Sequence, residues 1–534
     1  MRPTSILALA LLVPLLASPA LGAPADDSRP TVPASEILAK IERGEPVEYY
    51  GVIVEGDLDL SKVDLKETDL FIRRVFEGGE TVSLIDDKTQ YFKLVESRIN
   101  ITNSEIQGDV RFDGVLLQKD VCFKYTNFTK NVSFLEANFS CCADFERAVF
   151  SDDANFRGAK FSDFSDFGGA EFSSNANYKH AVFNNIAVFG TAVFNGDANF
   201  GSAVFSVVYA NFSETVFNGA AYFWGAEFYG ESDFRGAVFS GKGILGLCAD
   251  FMDTNFIGPI AYFYRANFSG DSNFMGAVFS GDAIFLEANF GGKSNFLADF
   301  GGDASFGRCK FSGDADFRGA CFSDDVSFED SSFDRANLML EDAREIRILR
   351  LSNSTFENES TISLKGTDYD RLYVHWDQIK DGFVYNGEAY LTLIKNFRNI
   401  EYFEDADDCY YQYRRERQSM RSWLEVAKYT DILGWVTCGY GVRPGYTLVL
   451  GLFVVLVSAV YYWRRDAIRR LKGDEDESAK FSDAFYFSMM TFTTVGYGDW
   501  YPLDRHRKVV MIEGIFGWLT LSLFLVTLAN VIIR

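Results

Sequence analysis

Beyond Arg111 and as far as Phe333 the hydrophobic positions recur on an eleven-residue beat. Phenylalanine stands at 145, 150, 156, 161, 167 and 172, with gaps alternating between five and six, and the rhythm returns at 306, 311, 317, 322, 328 and 333. The unit approximates Asp-Ala-Asn-Phe-x-Gly-Ala-x-Phe-Ser-Gly, and Tyr178 takes a phenylalanine position without breaking phase. Lapses fall around Leu245–Phe251 and Phe296–Phe300. A small residue, often Ala, stands two places before each Phe, and that spacing puts both side chains on one face of a strand. Asn, Asp and Gly gather between strands, where turns require them. The period is too short for paired helices. It predicts a β-helix over 51–333 of short strands, each sending one Phe and one Ala inward, with two units of the beat per coil. Residues 112–333 then make about ten coils, a rod roughly 50 Å long at ~4.8 Å per coil.

The flanks follow other periods. Val52, Val54, Leu58 and Leu60 alternate as the β-helix begins. In the linker-and-cap segment 24–50, Ser35–Gly44 has helical spacing and predicts a helix covering the open coil edge. Arg2, the apolar run Ile6–Leu16 and small residues at Ala20–Ala23 predict a secretory signal peptide over 1–23. Residues 334–444 read as a connector, mixed at first and then helical from Glu388 to about Lys428, where Leu393, Phe397, Ile400 and Phe403 recur at three and four. Arg414, Arg415, Arg417 and Arg421 follow Glu404, Asp405, Asp407 and Asp408, as on a solvated helix or a lever. Trp423, Trp435 and Tyr440 suit a membrane–water interface. Two apolar stretches, 445–463 and 509–533, predict membrane spans. A short helix, 483–492, lies between them, with Ser482 placed to cap it. Glu513 is the one ionisable group deep in an apolar run, which marks a functional or paired position.

Composition narrows the chemistry. A net charge of −24 argues against nucleic acid as a partner. Three scattered histidines and eight cysteines without metal spacing offer no metal centre. The acidic residues spread over corner positions instead of clustering, against a β-helical enzyme acting on polysaccharide. The protein is expected not to be an enzyme and to use no cofactor.

Between the two spans stands Thr493-Thr494-Val495-Gly496-Tyr497-Gly498-Asp499. Its two glycines let successive carbonyls point the same way. Four copies of such a loop can line a pore with oxygens that replace the water shell of an ion. The stretch Phe492–Pro502 resembles the signature of potassium channels with two membrane helices per subunit, and the resemblance covers Gly445–Arg534. It implies an ion-conducting filter of Thr494, Val495, Gly496, Tyr497 and Gly498 over 494–499, supported by Thr493 and by Asp499, which would hydrogen-bond behind it. Gly514 and Gly517 would act as gating hinges, and Glu513 joins them by its place in the span. Potassium at the filter carbonyls would be the only metal ion. The subunits would form a homotetramer, since one filter segment cannot line a pore. The Ala-Asn/Asp-Phe phrasing resembles the pentapeptide-repeat family, whose fold is a right-handed quadrilateral β-helix. The eleven-residue beat departs from two regular fives and implies an extra residue at alternate corners.

The expected fold is mainly β: a right-handed quadrilateral, pentapeptide-repeat-like β-helix, an α-helical connector, and an all-α two-transmembrane pore module over 445–534. The expected function is a potassium-selective channel subunit in the lipid bilayer of the cell membrane, multi-pass, with the rod as sensor, spacer or docking domain. A membrane-anchored scaffold or adhesion protein with a vestigial pore is the alternative, and the uninterrupted filter stands against it. The signal peptide places the rod outside. Arg464, Arg465, Arg469, Arg470, Lys472, Lys480, Arg505, Arg507 and Lys508 all fall on the filter side, against Lys428, Arg443 and Arg534 on the other. Positive charge marks the cytosolic side, so the filter loop enters from the cytosol, an arrangement similar to the inverted pore of ionotropic glutamate receptors. The β-helix is then extracytoplasmic; without a signal peptide the ordinary potassium-channel orientation returns, with the filter loop entering from outside and the rod in the cytosol.

Overall fold

The computed structural model describes residues 29–76, 84–243, 246–471, 478–496 and 498–532. The expected signal peptide, 1–23, and Tyr497 lie outside the described residues. From Thr31 to Tyr373 short strands wind into a parallel β-solenoid of about 14 turns, with four sides of 14, 12, 14 and 13 strands. At ~4.8 Å per turn this is a rod of roughly 65 Å. The β-helix therefore runs past the expected limits of 51 and 333. In the terminal coils Leu58, Ile106, Leu338, Leu349, Ile362 and Leu372 take the inward positions and are buried. Aliphatic residues do the same work there, so the phenylalanine beat fades while the coil continues.

One turn occupies two units of the beat. Phe139 pairs with Phe161, and Phe161 with Phe183. Within a side, Ala154 and Phe156 are buried while Asn155 between them is half-exposed. The rings form four columns, one per side. In the column Phe150–Phe172–Phe194 the centroids lie 4.7 and 4.6 Å apart and the planes are parallel within 2°. Columns on opposite sides meet edge to face, as Phe167 meets Phe156 at 5.3 Å, and at the corners the contact alternates between edge-to-face, as for Phe150 and Phe156, and tilted, as for Phe156 and Phe161. Burying each Phe contributes about 1.5–3 kcal/mol.

The extra residue at alternate corners is real. At the tighter corners the turn passes through left-handed backbone once in eleven residues: Arg147, Gly158, Gly169, His180, Thr191, Ser202. The lapses have local causes. Before Leu247–Asp250 the coil carries an insertion and the register shifts between Leu247 and Ala249. Near Phe300 the coil is one residue short, so Phe279 pairs with Phe300. An antiparallel hairpin, Glu67–Phe76 with Leu84–Val95, interrupts an early coil and was not expected. Its inner strand still pairs in parallel with Val115–Leu117. All eight cysteines are free, Cys309 and Cys321 included.

Both ends are closed. Helix α1 (Ala34–Glu42) buries Ala34, Ile37 and Ile41 against the first coil. At the other end α3 (Gly387–Asn399) covers the last strand, and α2 (Trp376–Ile379) packs against the strand Thr355–Glu357. There Asn396 imitates a strand: its Oδ1 accepts from Leu372 N at 2.9 Å and its Nδ2 donates to Leu372 O at 2.8 Å. That satisfies an edge that would otherwise stay open.

The connector is broken into pieces where one helix was expected. After α3 the chain turns at Glu401, in left-handed backbone, into α4 (Phe403–Met420), then extends at Arg421 before α5 (Val426–Cys438). The arginines are not merely solvated. Arg414 and Arg421 both grip Asp431 of α5, at 2.6 and 2.5 Å, and Arg415 lies 3.8 Å over the Trp435 ring. Trp435 Nε1 donates to Tyr411 Oη at 2.8 Å. Tyr440 is buried in this joint, bonded to Gln418. Left-handed Gly439 ends α5, and Pro444 opens the next helix.

Candidate functional site

The C-terminal segment is built from α6 (Pro444–Arg464), α7 (Phe481–Phe492) and α8 (Arg507–Ile532). The helices Pro444–Arg464 and Asp504–Ile532 are long and apolar enough to cross a membrane. Each has one buried stripe. On α6 it is Thr447, Gly451, Val455, Ala459 and Tyr462; on α8 it is Glu513, Gly517, Thr520 and Thr527. Spacings of three and four put such residues on one helix face. The opposite sides, such as Val449, Phe453 and Val457, or Met511, Ile515 and Trp518, are exposed.

Helix α7 is wedged between them, and its C-terminus leads into the expected filter segment. Ser482 does not cap it. The helix begins two residues earlier than expected, at Phe481, after Lys480, whose backbone N–H donates to Asp483 Oδ2 at 3.0 Å. Three contacts seat its buried face. Ser488 Oγ lies 2.9 Å from Val455 O and donates to Glu513 Oε1. The Phe492 ring approaches Gly451, where an added Cβ would stand 3.0 Å from it. A Cβ on Gly517 would stand 2.1 Å from Phe492 O, so only glycine fits there.

Glu513 has the partners that sequence alone could not name. It is 3% exposed, and Tyr462 Oη donates to its Oε2 at 2.5 Å. The carboxylate thus joins all three helices. Gly514 lies beside it with room to spare, an added Cβ standing 3.9 Å from Thr491 O. Helix α8 passes unbroken through both glycines.

Beyond Phe492 the chain folds back on α7. Thr493 N and Val495 N donate to Met489 O and Met490 O at 3.0 and 3.1 Å, and Thr493 Oγ1 donates to Met489 O at 2.8 Å. Then the backbone alternates. Thr494, Gly496 and Gly498 have φ of 55°, 54° and 75°, whereas Val495 has no such value. Alternating hands turn successive N–H groups to one side, and so their carbonyls to the other. A β-branched residue rarely takes a positive φ, so Thr494 holds a costly conformation of the kind found at functional sites. Thr494, Val495, Gly496, Gly498 and Asp499 are all exposed in the single chain, Val495 by 56%. The expected outward packing of Val495 therefore has no wall within one chain. Asp499 engages through its backbone, its O accepting from Leu471 N at 2.9 Å, and its carboxylate has no hydrogen bond among the described residues. An antiparallel pair, Ile468–Arg470 with Trp500–Pro502, closes the filter side.

The comparisons agree with this division. Residues 449–534 match the family model described as Ion channel. Residues 123–171, 244–289 and 297–343 match the model described as Pentapeptide repeats (9 copies). No curated protein and no solved structure matches the chain. The chain joins a pentapeptide-repeat β-solenoid to an ion-channel segment of the two-transmembrane kind.

Proposed function

We propose that the protein is a subunit of a potassium-selective channel and assembles as a homotetramer. Carbonyls of Thr494, Val495, Gly496 and Tyr497 would replace the water shell of potassium, the one metal ion involved, and flow would be passive. One observation carries this: the left-handed residues at 494, 496 and 498, directly after a helix whose C-terminal end faces them. The negative end of that helix favours a cation. The bare filter segment supports assembly, because three further copies would supply the wall that Val495 lacks. Thr493 anchors the filter to α7, and Asp499 would find its partner in the assembled pore. Gly514 and Gly517 remain proposed gating positions. No enzymatic role and no cofactor is proposed.

Charge supports one orientation. Arg464, Arg465, Arg470, Arg505, Arg507 and Lys508 are exposed on the face closed by the 468–470 and 500–502 pair. The connector and solenoid join at the opposite end, where Gly441 faces Asn530. With the signal peptide expected over 1–23, this charge supports a β-helix outside the cell and a filter loop in the cytosol. The solenoid would act there as sensor, spacer or docking surface.

The test is ion flux into vesicles holding the purified full chain. Uptake of potassium with sodium excluded, abolished by Gly496→Ala, is the expected result. Absence of uptake by the wild-type protein in either orientation would favour a scaffold with a vestigial pore.

A further inference from the structure

The structure points to Glu513 as a positioning residue for the filter, an inference that rests on the channel reading. The second span meets the pore helix at two places one turn apart. Gly517 receives the Phe492 carbonyl, and Glu513 receives Ser488. Ser488 and Phe492 are themselves one turn apart on α7, and Val455 and Gly451 face the same two residues from α6. The three helices therefore share one register, and Glu513 is its polar member. The steric contact at Gly517 limits how close α7 comes but supplies no directional bond. A hydrogen bond is directional, so the Ser488–Glu513 bond sets the rotation. Tyr462, itself fully buried, fixes the other carboxylate oxygen and stops Glu513 from following α7 if it turns.

Rotation matters because the filter begins at the end of α7. Thr493 and Val495 hang from the carbonyls of Met489 and Met490 in its last turn, one and two residues past Ser488. A turn of the helix re-aims these carbonyls and the peptide planes that follow. Glu513 thus acts on the ion path through Ser488 without lining it. A buried acid could otherwise be a gating charge in a moving helix, but bonds to both neighbouring helices describe a fixed joint.

The test uses the full chain reconstituted in bilayers, with Glu513→Leu, Glu513→Gln and Ser488→Ala, each checked for assembly. The potassium-to-sodium permeability ratio is expected to fall at least tenfold in Glu513→Leu and at least threefold in Ser488→Ala. Glu513→Gln keeps an acceptor oxygen and is expected to stay within threefold of wild type. Smaller losses in the first two, or a loss in Glu513→Gln as complete as in Glu513→Leu, would overturn the inference. If Glu513→Leu does not assemble, Ser488→Ala, which removes one oxygen, decides. Hydrogen exchange over 484–493 separates this inference from the channel reading. Exchange at least tenfold faster in Ser488→Ala supports the joint even if the wild-type protein proves unselective, and unchanged exchange overturns it even if the wild-type protein conducts potassium.

Discussion

Tyr178 offers a direct test of the core's physics. Its ring lies between Phe156 and Phe200, 4.9 Å from each and parallel within 2°. Phe167 and Phe189 meet it edge-on at 5.4 and 5.3 Å. The hydroxyl is fully buried and has no hydrogen-bond partner among the described residues. Burial alone pushes its pKa well above the ordinary tyrosine value. An unsatisfied buried hydroxyl costs about 1–3 kcal/mol. Tyr178→Phe keeps the stack and removes only the oxygen, leaving a void of roughly 10 Å³ that costs about 0.2 kcal/mol. The net effect is a stabilisation of about 1–2.5 kcal/mol. Because coils of a solenoid couple mainly to their neighbours, local hydrogen exchange suits it better than a global midpoint. The Tyr178 amide, bonded to Asn199 O, and the Ala181 amide, bonded to Tyr178 O, report on this coil. Exchange there should slow roughly five- to seventyfold. Phe156→Tyr should change it by a similar factor in the opposite sense. Exchange unchanged or faster in Tyr178→Phe would refute the claim that the hydroxyl is an uncompensated cost.

Gly517→Ala should displace the end of α7, lowering thermal stability by about 1–3 kcal/mol and potassium flux at least tenfold, whereas Gly514→Ala, whose added Cβ finds room, should not lower thermal stability. Thr191→Gly should stabilise its coil by about 0.5–1 kcal/mol, as relief of left-handed strain exceeds the added freedom of the unfolded chain; urea unfolding monitors it. Asp166 lies beside Asp144 in the next coil, and burial, then the Asp144 and Glu146 charges, raise its pKa. The folded state then binds that proton more tightly than the unfolded state, so the ionised carboxylate costs stability at neutral pH and the cost disappears as pH falls through the raised pKa. Asp166→Asn, which keeps the acceptor for Gly168 N, should raise the urea midpoint at pH 7 and lose that advantage in acid.

Much of this architecture is legible in the chain because the solenoid's determinants are local and repeated. One Phe per side, a small residue two places before it and a turn former after it recur so often that single lapses do not hide the coil. Where the repeat loses its phenylalanines, as at Leu338 or Leu372, the coil persists, because any apolar side chain of suitable size fills the inward position. The hairpin 67–95 was missed because its strands pair with each other and carry no trace of the beat. The breaks at Glu401 and Arg421 were missed because tertiary bonds, chiefly those of Arg414 and Arg421 to Asp431, set the connector's path. In the C-terminal segment the proposed filter residues stand together in sequence and read as a motif. The partners of Glu513 are 25 and 51 residues away and become neighbours only when three helices pack. A lone acid in an apolar run signals that partners exist without naming them.

The central claim is that residues 494–498 form a filter selective for potassium. The most direct measurement is the reversal potential of the purified full chain in a planar bilayer, with potassium on one side and sodium on the other. A reversal potential close to the potassium equilibrium value, lost in Gly496→Ala, is the predicted result. A wild-type current that reverses near zero under the same gradient would contradict it.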